Sequence, residues 1–314
     1  GKLAFLMKPK QYKLLLEKEN KDTVPNSLDR DSITDENPQG TYTFDECFVE
    51  NDFSLLDEPG EYYFDKINKI LYYYPIDEKK PDESTCVVGV SEGIFKICGN
   101  GAQKCVKNLA IENITMKYGT WLKTNDDGIA VIQGDYTVNA GGTTVFGDVE
   151  NPEGERTLAQ ICVKWADNVE IIDNTINNIG SAAIDMSEGV TNSIVGGNKI
   201  SGTSAGAVII GDWNHVFQSE NPRRCSDIRV INNDISDIAY EYGSMPAISL
   251  YYAKDIEVAH NNIKNTAYSG ISIGWGWSDQ SVAECKNNII ENNLIENCVT
   301  ELNDGANIYA LGTL

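Results

Sequence analysis

Three aspartates offer this sequence its most accessible chemistry: Asp304 in "ELNDGANIY", Asp212 in "GDWNH" and Asp185 in "AAIDMS". Two carboxyl groups held a few ångströms apart can protonate a leaving oxygen and attack, or activate water, at an acetal carbon. Around the three lie flat or hydrogen-bonding side chains: Trp213, His215, Tyr252, Trp275 and Trp277, with Glu188 as a further carboxylate. Aromatic plates beside carboxylates suit the C–H faces of sugars. Each residue also has a plainer reading. Asp304, like Asp126 and Asp127 in "NDDGIAV", stands at a glycine where turns form. Glu188 suits a solvated position, "GDWNH" an ordinary loop, and the Trp275/Trp277 pair a patch that holds another domain. Asp185 is harder to dismiss, because a carboxylate among Ala, Ile and Met on a strand needs a reason.

A repeat must position these residues. An apolar strand followed by Asn-x-Ile recurs as "VEIIDNTI", "SIVGGNKI", "IRVINNDI", "IEVAHNNI" and "IIENNLI", with a partial copy at "LAIENITM". The asparagines at 174, 198, 233, 261 and 293 are spaced by 24, 35, 28 and 32 residues. After each comes a polar turn and a second strand: "AAIDMS", "GAVIIG", "PAISLYY", "GISIGW" and "NIYALG". Repetition on this scale marks stacked architectures. Leucine-rich repeats would show Leu-x-x-Leu-x-Leu and a helical period, and neither is present. The expectation is an all-β chain: a right-handed parallel β-helix, a pectate-lyase-like solenoid, whose asparagines stack amide on amide. His260, inside "VAHNNI", is read as scaffold.

Alternation sets the register. Ile184/Met186, Val208/Ile210, Ile248/Leu250 and Ile271/Ile273 are expected to point inward, leaving Asp185, Ser249 and Ser272 in one outward column. Glu188, Asp212, Tyr252 and Trp275 fall in another column just past the strand ends. Coils stack ~4.8 Å apart, so carboxylates on neighbouring coils approach the separation of retaining glycosidases, and those two coils apart approach the inverting range. In "SGISIGWGW", Gly274 and Gly276 would let the chain leave its strand tightly and set Trp275 and Trp277 at a groove.

Residues 1–98 read as a β-rich module or cap built on the hairpin "EYYFDKINKILYYYP", and 99–314 as the coils, with "GDYTVNAGGTTVFGDVENPEGERTL" an excursion from one of them. The chain closes at "IYALGTL" within an apparent strand, so further coils, a cap or a partner chain are expected to cover that end.

Composition narrows the partners. A net charge of −22 disfavours nucleic acid, and no apolar run is long enough for membrane insertion. With 2 histidines, and 8 cysteines lacking CxxC spacing, the expectation is no required cofactor and no metal at the site, structural calcium being compatible with the acidity. The cysteines are read as thiols rather than a disulfide framework.

In order along the chain, "LLDEPGEYYFDKINKILYYYP", "GTWLKTNDDGIAVIQGD", "YSGISIGWGW" and "LNDGANIYALG" resemble secreted bacterial right-handed β-helix proteins. That group includes the lacto-N-biosidases of glycoside hydrolase family 136 and the fucosidase/xylanase family 141. The resemblance covers roughly residues 50–314. It implies a glycosidase, secreted or at a bacterial cell surface, acting on an oligosaccharide or glycan, with Trp275, Trp277 and Asp304 beside the sugar. It carries over no catalytic pair. The chain departs from the pattern at Asp304-Gly-Ala-Asn-Ile-Tyr, where relatives read Asp-Gly-Gly-Ala-Ile-Tyr. Two other classes stay open: a non-catalytic carbohydrate-binding or adhesin β-helix, and a calcium-dependent polysaccharide lyase. Against the lyase, only Arg229 lies in a repeat strand, while Arg223 and Arg224 sit in a loop.

Overall fold

The computed structural model describes residues 4–5, 49–50, 52–76, 87–122, 129–130, 134–138, 154–212, 221–275 and 285–312. The chain divides into two compact units, Lys2–Cys86 and Val87–Leu314, with Gly1 grouped with the second.

In the first unit, Ala4–Phe5 pairs antiparallel with Val49–Glu50. The expected aromatic hairpin joins Tyr62–Asp65 to Ile70–Tyr73, with Tyr63 opposite Tyr72. Its turn is held by Asp65 Oδ1, which accepts from the backbone N–H groups of Ile67 and Asn68 at 3.0 and 2.8 Å. Phe53 packs edge-on against Tyr63 and Tyr72, the ring centres 5.5 and 5.0 Å away.

The second unit is a right-handed parallel β-helix. Sheet I comprises Phe95–Cys98, Ala159–Lys164, Ala182–Met186, Val208–Ile210, Ile248–Leu250, Ile271–Ile273 and Ile308–Ala310. Sheet II stacks Val106–Glu112, Ala166–Ile172, Val190–Gly196, Ser226–Ile231, Lys254–Ala259 and Ile289–Glu291. Sheet III stacks Thr115–Lys117, Thr175–Ile179, Lys199–Thr203, Asp234–Ile238, Asn262–Thr266 and Leu294–Glu296. Six coils pass through the three sheets in this order, and Ile308–Ala310 adds a seventh strand to sheet I among the described residues. Phe95–Cys98 is therefore the first strand of the stack and pairs with Ile161–Lys164, so the coils begin inside the stretch read from sequence as the cap. Its alternating Phe95 and Ile97, set beside Ile161 and Val163, explain the placement.

The inward register follows the alternation. Ile184, Val208, Ile248 and Ile271 are consecutive partners along sheet I, and all four are fully buried. Ile308 continues the column at 48% exposure, against 0% for Ile271.

Asparagine stacks as the sequence requires. Asn174, Asn198, Asn233 and Asn261 each donate Nδ2 to the Oδ1 of the next ladder residue, at 3.0, 3.0, 2.9 and 2.9 Å, ending on Asn293. Each second Nδ2 proton goes to a backbone carbonyl, for Asn198 that of Ile171. Asn198 Oδ1 accepts both N–H groups offered by Asn174, so all four bonds its amide can make are made. Immediately before each ladder asparagine the chain turns through positive φ, at Asp173, Gly197, Asn232, His260 and Asn292, and Asn113 does the same before Ile114, whose N–H caps the row on Asn174 Oδ1. Most are residue types that tolerate this region, and His260 holds one such corner.

Between Thr115–Lys117 and Ala159–Lys164 the chain leaves the coils. There it forms an antiparallel sheet from Ile129–Ala130, Tyr136–Val138 and Gly154–Arg156. This departure starts earlier than the excursion read from sequence. No helix among the described residues is long and apolar enough to cross a membrane.

Candidate active site on the outer face of sheet I

The outward column of sheet I runs Lys96, Cys162, Asp185, Ile209, Ser249, Ser272, Tyr309. The expected alignment of Asp185, Ser249 and Ser272 is present, yet all three are buried. The excursion brings Asp135, Tyr136 and Arg156 over them and makes this face a second, polar interior layer.

Arg156 organises it. Its Nε and Nη2 donate to Asp185 Oδ2 and Oδ1 at 2.8 and 2.6 Å, and Nη2 also donates to the Gly211 carbonyl at 2.6 Å. Its Nη1 lies 3.8 Å from Asp212 Oδ1. One guanidinium thus bridges two carboxylates on adjacent coils. Burial pushes the Asp185 carboxyl above its ordinary range, against the opposing pull of Arg156. Asp212 keeps 13% side-chain exposure, against 4% for Asp185.

A third carboxyl enters from the excursion. Asp135 is fully buried; its Oδ2 accepts from the Tyr251 hydroxyl at 2.8 Å, and its backbone N–H donates to that hydroxyl's oxygen at 2.8 Å. Burial pushes Asp135 up to about 6, partly offset by the hydroxyls of Ser249 and Tyr251 and by Arg156. Ser249 Oγ and Asp135 Oδ1 are both buried without closing a hydrogen bond.

Aromatic rings wall the carboxyls. Trp275 is half-buried between Tyr136 and Tyr251, edge-to-face with each at 5.6 Å. The Tyr252 hydroxyl donates to the Trp275 carbonyl at 3.1 Å. Gly274 adopts φ +79°, which permits the sharp exit from the strand that sets the indole there.

The remaining expected site residues separate. Glu188 is buried in its own ion cluster, with Lys164 Nζ at 2.5 Å and Arg223 Nε at 2.8 Å. Burial opposes its charge, but the two cations hold its carboxyl below the usual range. Asp304 is exposed at φ +56°; its carbonyl accepts from the Tyr268 hydroxyl at 2.7 Å and its Oδ1 from the Tyr309 hydroxyl at 3.3 Å. It precedes its sheet I strand, whereas Asp212 and Trp275 follow theirs, so it lies at the opposite end of the strands. Trp213, His215, Trp277, Gly276, Asp126 and Asp127 lie outside the described residues. Asp135, Tyr136, Arg156 and Tyr251 were not singled out from sequence. The signal available for Arg156 was a lone cation beside a repeat strand whose neighbour carries a lone carboxylate.

Among the described residues no group of three or more His, Cys, Asp or Glu side chains is placed to hold a metal ion. The six described cysteines, 98, 105, 162, 225, 285 and 298, are thiols.

The fold defines a parallel β-helix with a carboxylate-bearing sheet face. No family model and no curated protein matches the sequence. A solved structure described as "Glycoside hydrolase" is similar over 84% of this chain, with 22% identity and a TM-score of 0.69. The match extends over 47% of that structure's own length. At this identity the likeness establishes a shared β-helix fold.

Proposed function

We propose that the chain is a glycoside hydrolase acting on an oligosaccharide or glycan, in a secreted or bacterial cell-surface setting, with Asp212 and Asp185 as its carboxyl pair. The observation that carries this reading is the bridging of the two by Arg156, beside Trp275. Contact with one guanidinium keeps the two carboxyls within roughly 9 Å of each other, the upper end of the separations that glycosidase pairs span. Asp212, the more accessible, acts as nucleophile or base. Asp185, whose proton affinity burial raises, acts as the acid, a role that requires Arg156 to release one of its two hydrogen bonds when substrate binds. Trp275 borders the sugar, while Tyr252, expected from sequence at the groove, is buried behind it and holds its carbonyl; Trp213, His215 and Trp277 are proposed as further contacts. Asp304 is assigned to its turn. The fold shared with a glycoside hydrolase supports the class and leaves sugar and linkage open, including the lacto-N-biosidase-like specificity.

The bidentate Arg156–Asp185 pair favours a second reading, a β-helix that binds sugar without cleaving it, because a fully engaged carboxylate can serve as scaffold alone. A panel of nitrophenyl glycosides and natural glycans separates the two. Turnover that falls by roughly 10²-fold or more in Asp212→Asn and Asp185→Asn, with circular dichroism unchanged, supports catalysis. Unsaturated products seen by ultraviolet absorbance would instead indicate a lyase.

A further inference from the structure

A second feature lies away from sheet I, where sheet II begins. Lys107, Asp167, Thr191, Ser226 and Lys254 are register partners on five successive coils, one straight column across the sheet. They line a groove of about 360 Å³ with Trp165, Asn221 and Arg224. Four coil spacings separate the two lysines, roughly 19 Å along the groove.

The charge here runs against the rest of the molecule. The chain carries 47 acidic and 25 basic residues, whereas the groove presents Lys107, Lys254 and Arg224 against Asp167. Asp167 is bound mainly by neutral donors, Asn192 Nδ2 at 2.7 Å and Thr191 Oγ1 at 2.9 Å, and Lys107 Nζ stands off at 3.6 Å. Lys254 Nζ is likewise 3.9 Å from Asp255, whose Oδ1 accepts from Asn287 Nδ2 at 3.0 Å. Both ammonium groups are loosely matched and reach the groove. Arg224, buried, adds charge at the wall.

Trp165 supplies an apolar surface. It turns the corner between its sheet I and sheet II strands at φ +51°, an uncommon conformation for a bulky side chain. Its indole lies against Gly189, where any Cβ would come within 2.3 Å of ring atom Cε3. Only glycine lets the ring lie there.

We propose that this groove is a binding site for an extended acidic oligosaccharide, its carboxylates meeting Lys107 and Lys254 and a sugar face meeting Trp165. A cationic groove that runs across five coils, with one aromatic plate, fits a linear anionic sugar chain better than a compact anion. The site is independent of the hydrolase reading, since none of its residues belongs to the sheet I cluster.

Calorimetry of the intact chain at low salt tests this with four probes: linear tetramannuronate, mannuronate monomer, uncharged maltotetraose and inorganic sulfate. The tetramer is expected to bind at least roughly tenfold more tightly than the other three and to weaken as salt rises. Lys107→Ser with Lys254→Ser should cost roughly tenfold or more in tetramer affinity, with circular dichroism unchanged. Tetramer binding no tighter than maltotetraose overturns the proposal. So does binding that survives the double substitution. Sulfate matching the tetramer reduces the site to a simple anion site and overturns the saccharide assignment. Glycosidase turnover, measured in parallel, reads the sheet I pair separately.

Discussion

Arg156 and Asp185 meet through two hydrogen bonds at 2.8 and 2.6 Å, one residue from the excursion and the other from a coil strand. Removing one member leaves the other charged and buried, which typically costs about 3–5 kcal/mol. Arg156→Ala and Asp185→Ala should each destabilise the chain by about that much. Arg156→Met combined with Asp185→Leu should recover most of it. Urea unfolding of the singles and the double measures the coupling.

Asp135 makes stability depend on pH in a defined direction. Its folded pKa, about 6, lies above the unfolded value near 3.8, so the native state holds the proton more tightly. That contribution is complete below the unfolded pKa and is lost as pH rises through about 6, on the order of 3 kcal/mol in all. Asp135→Asn should therefore remove a fall in stability between about pH 4 and 6. The check is the difference between wild-type and variant unfolding free energies across that window, which cancels the many other carboxylates.

The ladder should be intolerant at its centre. Asn198→Ala strips bonds from Asn174, Asn233 and the Ile171 carbonyl together, and about 2–4 kcal/mol of lost stability is expected. Asn198→Asp keeps the shape but replaces the donor with a second acceptor facing Asn233 Oδ1. It should be at least as damaging above the aspartate pKa and partly relieved in acid. Denaturant midpoints of both variants at two pH values decide this.

If the hydrolase reading holds, the aromatic and acidic members of the site should separate kinetically. Trp275→Ala should mainly raise KM, while Asp212→Asn should lower kcat by roughly 10²-fold or more. Steady-state kinetics on the cleaved glycan tests the split. Equal losses in kcat for both would mean that Trp275 acts by holding the Tyr136 and Tyr251 packing in place.

The inward columns and the ladder were legible because each rests on a period. Ile184 and Val208 repeat an alternation, and Asn174 and Asn198 repeat a turn. Asp135 and Arg156 belong to no period. They reach sheet I only because a non-repeating excursion folds over it, and nothing in their local sequence states which coil they land on. The same geometry separates Asp304 from Asp212. Asp304 is read from sequence at the entry of its strand and Asp212 just past the end of its own, and in a parallel sheet those positions lie at opposite strand ends, so one groove cannot hold both. Burial of the outward Asp185 was likewise invisible to alternation, which distinguishes two faces but not what covers them.

The asparagine amides from Asn174 to Asn261 all donate in one direction along the stack, each toward the next coil. Their dipoles therefore add head to tail, and each bond polarises its neighbour. An amide flipped at any one coil would set nitrogen against nitrogen on one side and oxygen against oxygen on the other. The row thus has only two self-consistent states, all forward or all reversed. The backbone carbonyls of Ile111, Ile171, Val195 and Val230 accept from the forward set and select it. The solenoid carries an internal arrow, written in side chains, that tells every coil which neighbour comes next.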